Sequence, residues 1–128
     1  MITLTKEQII RLHKQMIAAT GGVDGLRDEG ALDAALNVAF QGFGDTEFYP
    51  TIVSKIARLT YGIIANHPFA DGNKRVGTYA MLVLLELNRI EADFTDGDII
   101  RIGLEIADGK MDSLQLLSLI LERTMYQQ

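Results

Sequence analysis

The stretch His67-Pro68-Phe69-Ala70-Asp71-Gly72-Asn73-Lys74-Arg75 gathers, within nine residues, most of what is needed to move a phosphate-containing group. His67 is the nearby side chain able to act as a base near neutral pH. Asp71 is a hard oxygen ligand, suited to holding Mg²⁺ through one carboxylate while phosphates supply other ligands. Gly72 and Asn73 tolerate unusual backbone angles, so successive amides can turn inward as an anion nest. Lys74 and Arg75 place two positive charges where a following helix would start, an end whose dipole disfavours cations unless an anion binds. These are the parts for transferring a phosphate-containing group to a hydroxyl. Taken singly, each residue has a plainer role: Asp71 can cap a helix, and Lys74-Arg75 can be a solvated face. Capping needs neither the histidine nor the paired cations, so the ensemble favours the anion site.

Two helices must carry this loop. Ile52, Ile56, Leu59 and Ile63 mark one that stops near Asn66, because the residue before Pro68 is pushed out of the α region. After the loop, Val76, Tyr79, Ala80, Val83, Leu84 and Leu87 repeat at three and four residues, with Met81, Leu82 and Leu85 on the flanks. An almost all-round apolar pattern predicts a central, buried helix. Upstream, Thr5 with Gln8 resembles a capping box opening a helix with Ile9, Leu12, Met16 and Ile17 on its apolar stripe. Residues 21–30 carry four glycines and must be a loop. Leu32, Ala35, Leu36, Ala39 and Phe40 follow as a second helix, with Asp28 or Glu29 at its positive end. Gly42 to Pro50 is too irregular for a helix and suits a flap or short hairpin. Its Phe43, Phe48 and Tyr49 are read as capping the core rather than anchoring a target. Thr95 can cap a helix through Ile99, Ile102 and Ile106, closed by Asp108-Gly109. Asp112 with Gln115 begins a last helix whose stripe is Leu114, Leu117, Leu121 and Met125. With no sustained period of two, the chain is predicted to be all-α: one domain over residues 1–128, about six helices, with the active loop between two central ones.

Composition bounds the function classes. A chain of 128 residues, 48% hydrophobic with two prolines, can bury a core without disulfides. The lack of cysteine excludes thiolate zinc sites, cysteine nucleophiles and redox pairs, and it fits a reducing compartment. Twelve Lys+Arg against 17 Asp+Glu give a net charge of −5, which disfavours direct binding of long nucleic acids but not of one small polyanion in a local pocket. The amino terminus lacks a basic region followed by an apolar stretch, and the longest apolar run, Tyr79 to Leu85, is too short to span a bilayer. A cytoplasmic protein with no membrane partner is therefore expected. His13 is one of only two histidines, so a histidine zinc centre lacks support, and a partly exposed helix position is expected for it.

The nine-residue run resembles the signature loop of the Fic superfamily, His-Pro-Phe-x-(Asp/Glu)-Gly-Asn-Gly-Arg-x-x-Arg. Lys74 stands where that pattern has its last glycine and Thr78 where it has its second arginine, both features of the death-on-curing (Doc) branch. The run Gly21-Gly22-x-x-Gly25-x-Arg27-Asp28-x-Gly30-x-Leu32 is similar to that branch as well, although Arg27 and Asp28 also suit a simple brace of the glycine loop. The resemblance implies a Doc-like toxin of a toxin–antitoxin pair. It would use ATP and Mg²⁺ to transfer the γ-phosphate to a threonine of a translation factor such as elongation factor Tu. The alternatives are AMP transfer of the Fic type and a catalytically silent binding domain. Carried onto this chain, His67 takes the acceptor proton, Asp71 binds Mg²⁺, and Gly72, Asn73 and Lys74 cradle phosphates. Arg75 binds phosphate and neutralises transition-state charge. The target backbone would dock on the Gly42 to Pro50 flap. An inhibitory Ser/Thr-x-x-x-Glu-Gly/Asn helix has its nearest match in Gly25-x-x-x-Glu29-Gly30, which lacks the hydroxyl. Restraint is thus expected from a separate antitoxin covering the active groove.

Overall fold

The computed structural model describes residues 1–125. Residues 126–128 of the expected domain, and the Met125 side chain at the end of the last predicted stripe, lie outside the described residues. The elements in chain order are α1 (Lys6–Thr20), α2 (Glu29–Val38), β1 (Gly42–Phe43), β2 (Thr46–Glu47), α3 (Ile52–Asn66), α4 (Asn73–Leu87), α5 (Asp96–Ala107) and α6 (Ser113–Met125). Among the described residues the fold is all-α apart from a short antiparallel two-stranded hairpin pairing Gly42 with Glu47 and Phe43 with Thr46. No described helix is long and apolar enough to cross a membrane.

Helix starts follow local chemistry. Thr5 and Gln8 close a reciprocal capping box on α1, and Thr95 with Asp98 does the same on α5. Asp112 and Gln115 exchange the equivalent pair of bonds ahead of α6, at 2.8 and 2.9 Å. The Asp28 carboxylate accepts from the Ala31 amide at the start of α2.

Helix α3 is the axis, packed against α2, α4, α5 and α6. On one side lies the larger cluster, including Ile56, Leu59, Ile64, Met81, Leu84, Ile102, Ile106, Leu116 and Ile120. The other cluster lies under the motif loop and holds Ile9, Leu32, Ala35, Ile63, Phe69, Val76 and Ala80. Close approach of α3 and α4 depends on Gly77, where an added Cβ would sit 2.4 Å from Cγ1 of Ile64.

Three packing expectations are corrected. On α4 the buried face is Val76, Ala80, Met81, Leu84 and Leu85, while Tyr79, Leu82 and Leu87 are exposed. On α6, Leu116, Leu119 and Ile120 are buried and the predicted Leu114 and Leu121 are exposed. Both helices are apolar on several faces, so their period does not set the phase; the rows that meet α3 do. Phe40, placed on the α2 stripe, and Phe43 and Phe48, read as core caps, are also exposed. Every residue of β1, which carries Phe43, and of β2 is exposed.

Candidate active site

The motif loop joins the end of α3 to the start of α4, and both junctions use left-handed backbone. His67 terminates α3 at φ 49°, ψ 54°, a conformation that costs a non-glycine residue roughly 1–2 kcal/mol. Its carbonyl accepts from the Arg27 guanidinium, and the Pro68 carbonyl accepts from the Arg27 and Asp28 amides at 2.8 and 2.9 Å. The His67 residue itself is exposed. Gly72 opens α4 at φ 77° with no side-chain cap. The amides of Asn73, Lys74 and Arg75 therefore have no acceptor within their own helix and form a positive helix end.

Phe69 anchors the loop, at 1% exposure. The Asn73 side chain closes it: Nδ2 donates to the Phe69 carbonyl at 3.0 Å, and Oδ1 accepts from the Phe69 amide at 2.9 Å. With that side chain committed to the loop, what Asn73 offers an anion is its backbone amide.

The Asp71 carboxylate faces the glycine-rich loop. Its Oδ2 accepts from the Val23 amide at 3.1 Å and its Oδ1 from the Gly72 amide at 2.8 Å. These two amides hold its pKa below the ordinary aspartate value, with smaller help from the nearby Arg75 and His13. The donor set fits Mg²⁺. The carboxylate is ionised and half-exposed, and each oxygen that accepts one amide keeps lone pairs for a cation. Among the described residues no three His, Cys, Asp or Glu side chains cluster.

Arg75 reaches back to the end of α1, donating to Thr20 Oγ1 at 2.7 Å and to the Gly21 carbonyl at 2.9 Å, with Asp71 at 4.0 Å. Lys74 is exposed, and its stem lies beside Gly103 of α5, where an added Cβ would come within 3.3 Å of the lysine Cβ. Thr78, in the place of the family's second arginine, is buried and bonds back to the Lys74 and Arg75 carbonyls.

The glycine-rich loop is thus part of the site. Besides the Val23, Arg27 and Asp28 bonds, the Gly25 carbonyl accepts from the Ala70 amide at 3.0 Å, and Leu26 bridges to Phe69. His13 is the main surprise. Expected at a partly exposed position, it is 1% exposed, because it lies on the four-residue line Ile9, His13, Ile17 that faces the loop.

Lys55 also escaped the sequence reading. On the buried face of α3, its ammonium donates to the Tyr49 carbonyl and pairs with the Glu47 carboxylate at 2.9 Å, tying the hairpin to the helix. Replacing Lys55 with methionine removes both ties while keeping the stem's volume. The Phe48 amide, now bonded to the Gln41 carbonyl, is then expected to exchange with solvent several-fold faster, with α4 amides unchanged. Hydrogen exchange read by NMR checks this.

Beside Arg75 runs an apolar groove of about 540 Å³ between α1, α4 and α5, lined by Leu12, Met16, Ala19, Tyr79, Leu82 and Ile99.

These features define a class: a helical domain built round a histidine-to-arginine loop that a glycine-rich loop clasps from outside. The Fic/DOC family model matches residues 3–85, and the chain belongs to that family. It is 36% identical over 78 residues, 59% of its own length, to a protein of Mycolicibacterium smegmatis named Toxin Doc. The match spans 60% of that relative.

Proposed function

We propose that the chain is a Doc-type toxin that transfers the γ-phosphate of ATP to a threonine hydroxyl of a translation factor such as elongation factor Tu. The observation that carries this reading is the exposed His67 placed one short loop before the uncapped start of α4, with Lys74 and Arg75 on that helix end. The amides of Asn73, Lys74 and Arg75 receive phosphate oxygens. His67 takes the proton of the acceptor hydroxyl as its oxygen bonds to the γ-phosphorus. The bond from that phosphorus to the β–γ bridging oxygen breaks, and ADP leaves. Arg75 neutralises charge as it builds. Mg²⁺ bound at Asp71 would offset the charge of the phosphates.

Thr78 supports γ-phosphate transfer over AMP transfer, because its hydroxyl is turned onto its own helix and supplies no second cation to hold a triphosphate the other way. The exposed Phe43 and Phe48 suit the hairpin to docking of a target segment alongside its open edge. The apolar groove beside Arg75 suits a carboxy-terminal antitoxin segment with apolar anchors, and the net charge of −5 suits a basic one. Intact-mass analysis of elongation factor Tu after incubation with the chain, ATP and Mg²⁺ tests the reading. Gain of one phosphate is expected; gain of AMP overturns the direction of transfer, and an unchanged mass overturns the target.

A further inference from the structure

His13 lies outside the motif and takes no part in the proton and phosphate steps above, yet it is buried directly against the loop. Its ring stacks on Phe69 with centroids 3.9 Å apart and planes 8° from parallel. Nε2 is 2.7 Å from the Asp71 carbonyl. A carbonyl can only accept, so Nε2 carries the proton. Nδ1 lies 3.6 Å from the Asp24 carboxylate in the glycine-rich loop. One side chain therefore touches the loop's apolar anchor, the backbone of its carboxylate residue and the segment that clasps both. Burial keeps water from replacing the donor, and the same loop holds the Asp71 carboxylate through Val23.

We propose that His13 is a positioning residue: by holding the Asp71 carbonyl and the Phe69 ring together, it aims the Asp71 carboxylate at the phosphate-binding end of α4. The inference rests on the reading of Asp71 as the cation-holding residue. Outer-layer contacts of this kind typically change metal affinity or activity by roughly 10- to 100-fold when removed.

Two variants separate positioning from packing. His13→Phe keeps a ring on Phe69 and removes the donor; His13→Gln keeps an amide N–H at similar reach and loses the ring. In His13→Phe the Val23 and Gly72 amide proton resonances, which report the two bonds to the Asp71 carboxylate, are expected to shift. The Mn²⁺ concentration needed for ATP-dependent binding, followed by electron paramagnetic resonance, should rise roughly 10-fold or more. His13→Gln should return both toward wild type. Unchanged resonances in His13→Phe, or equal impairment in His13→Gln, would overturn the proposal. If the wild-type chain binds no Mn²⁺ with ATP, the proposed function fails, and the amide resonances alone decide the role of His13.

Discussion

His67→Ala is expected to lower transfer from ATP by roughly 10²- to 10⁴-fold, the range that a positioned general base contributes. The protein should remain folded, because His67 is exposed and its backbone is held by the Arg27 guanidinium at its carbonyl rather than by packing of the imidazole. The contrast with His67→Gly is sharper. A left-handed residue closing a helix is usually glycine, which adopts φ near the observed 49° without steric cost. Glycine also gains freedom in the unfolded chain, so the net change is small, between zero and about 1 kcal/mol of added stability. His67→Gly should therefore melt no lower than wild type and still be as inactive as His67→Ala. Thermal unfolding and transfer of label from γ-labelled ATP measure the two quantities separately. An active His67→Gly variant would remove the histidine from the chemistry and leave only a strained turn. A stable and inactive one would show that the strain is kept for the imidazole.

The helix starts and the motif were legible in the sequence for a shared reason: each depends on residues within a few positions of one another. Thr5 and Gln8, Thr95 and Asp98, and Asp112 and Gln115 meet across three residues wherever the chain goes next. The end of α3 ahead of Pro68 was local in the same way. The phases of α4 and α6 were not, because Leu114 and Leu116, or Tyr79 and Met81, are equally apolar choices until α3 selects one row. The residues that frame the site were hidden by distance. His13 meets Asp71 from 58 positions away, and Arg75 meets Thr20 from 55. A histidine midway between Ile9 and Ile17 was nevertheless a usable signal, since a polar side chain on a buried line must find a partner. Lys55 gave a similar signal beside Ile56 on the buried face of α3.

The clasp between the glycine-rich loop and the motif makes Gly22 the position of largest effect outside the motif. Gly22 sits at φ +118°, and a Cβ there would lie 2.6 Å from Asp71 Oδ2, 2.9 Å from Ile17 Cδ1 and 3.0 Å from Arg75 Nη2. Gly22→Ala must therefore move the carboxylate off the Val23 amide, besides straining its own backbone by roughly 1–3 kcal/mol. Gly21 supplies the control: at φ +88° with nothing within 4 Å of the added Cβ, Gly21→Ala carries the strain alone. Both variants should lose stability, while on the proposed cation-holding role of Asp71 Gly22→Ala alone should lose transfer, by at least about 10-fold. Acid separates them further. The Asp71 pKa is depressed in the folded protein, chiefly by the Val23 amide, so its stabilisation is complete above the ordinary aspartate value near 3.9 and is lost as pH falls through the folded value. Gly22→Ala has already given up part of that stabilisation, so its deficit against wild type should narrow on acidification. The Gly21→Ala deficit, being steric, should not. Urea unfolding of the three proteins at neutral pH and near pH 3 distinguishes the cases, and parallel deficits at both pH values would mean that the glycine-rich loop does not hold the carboxylate.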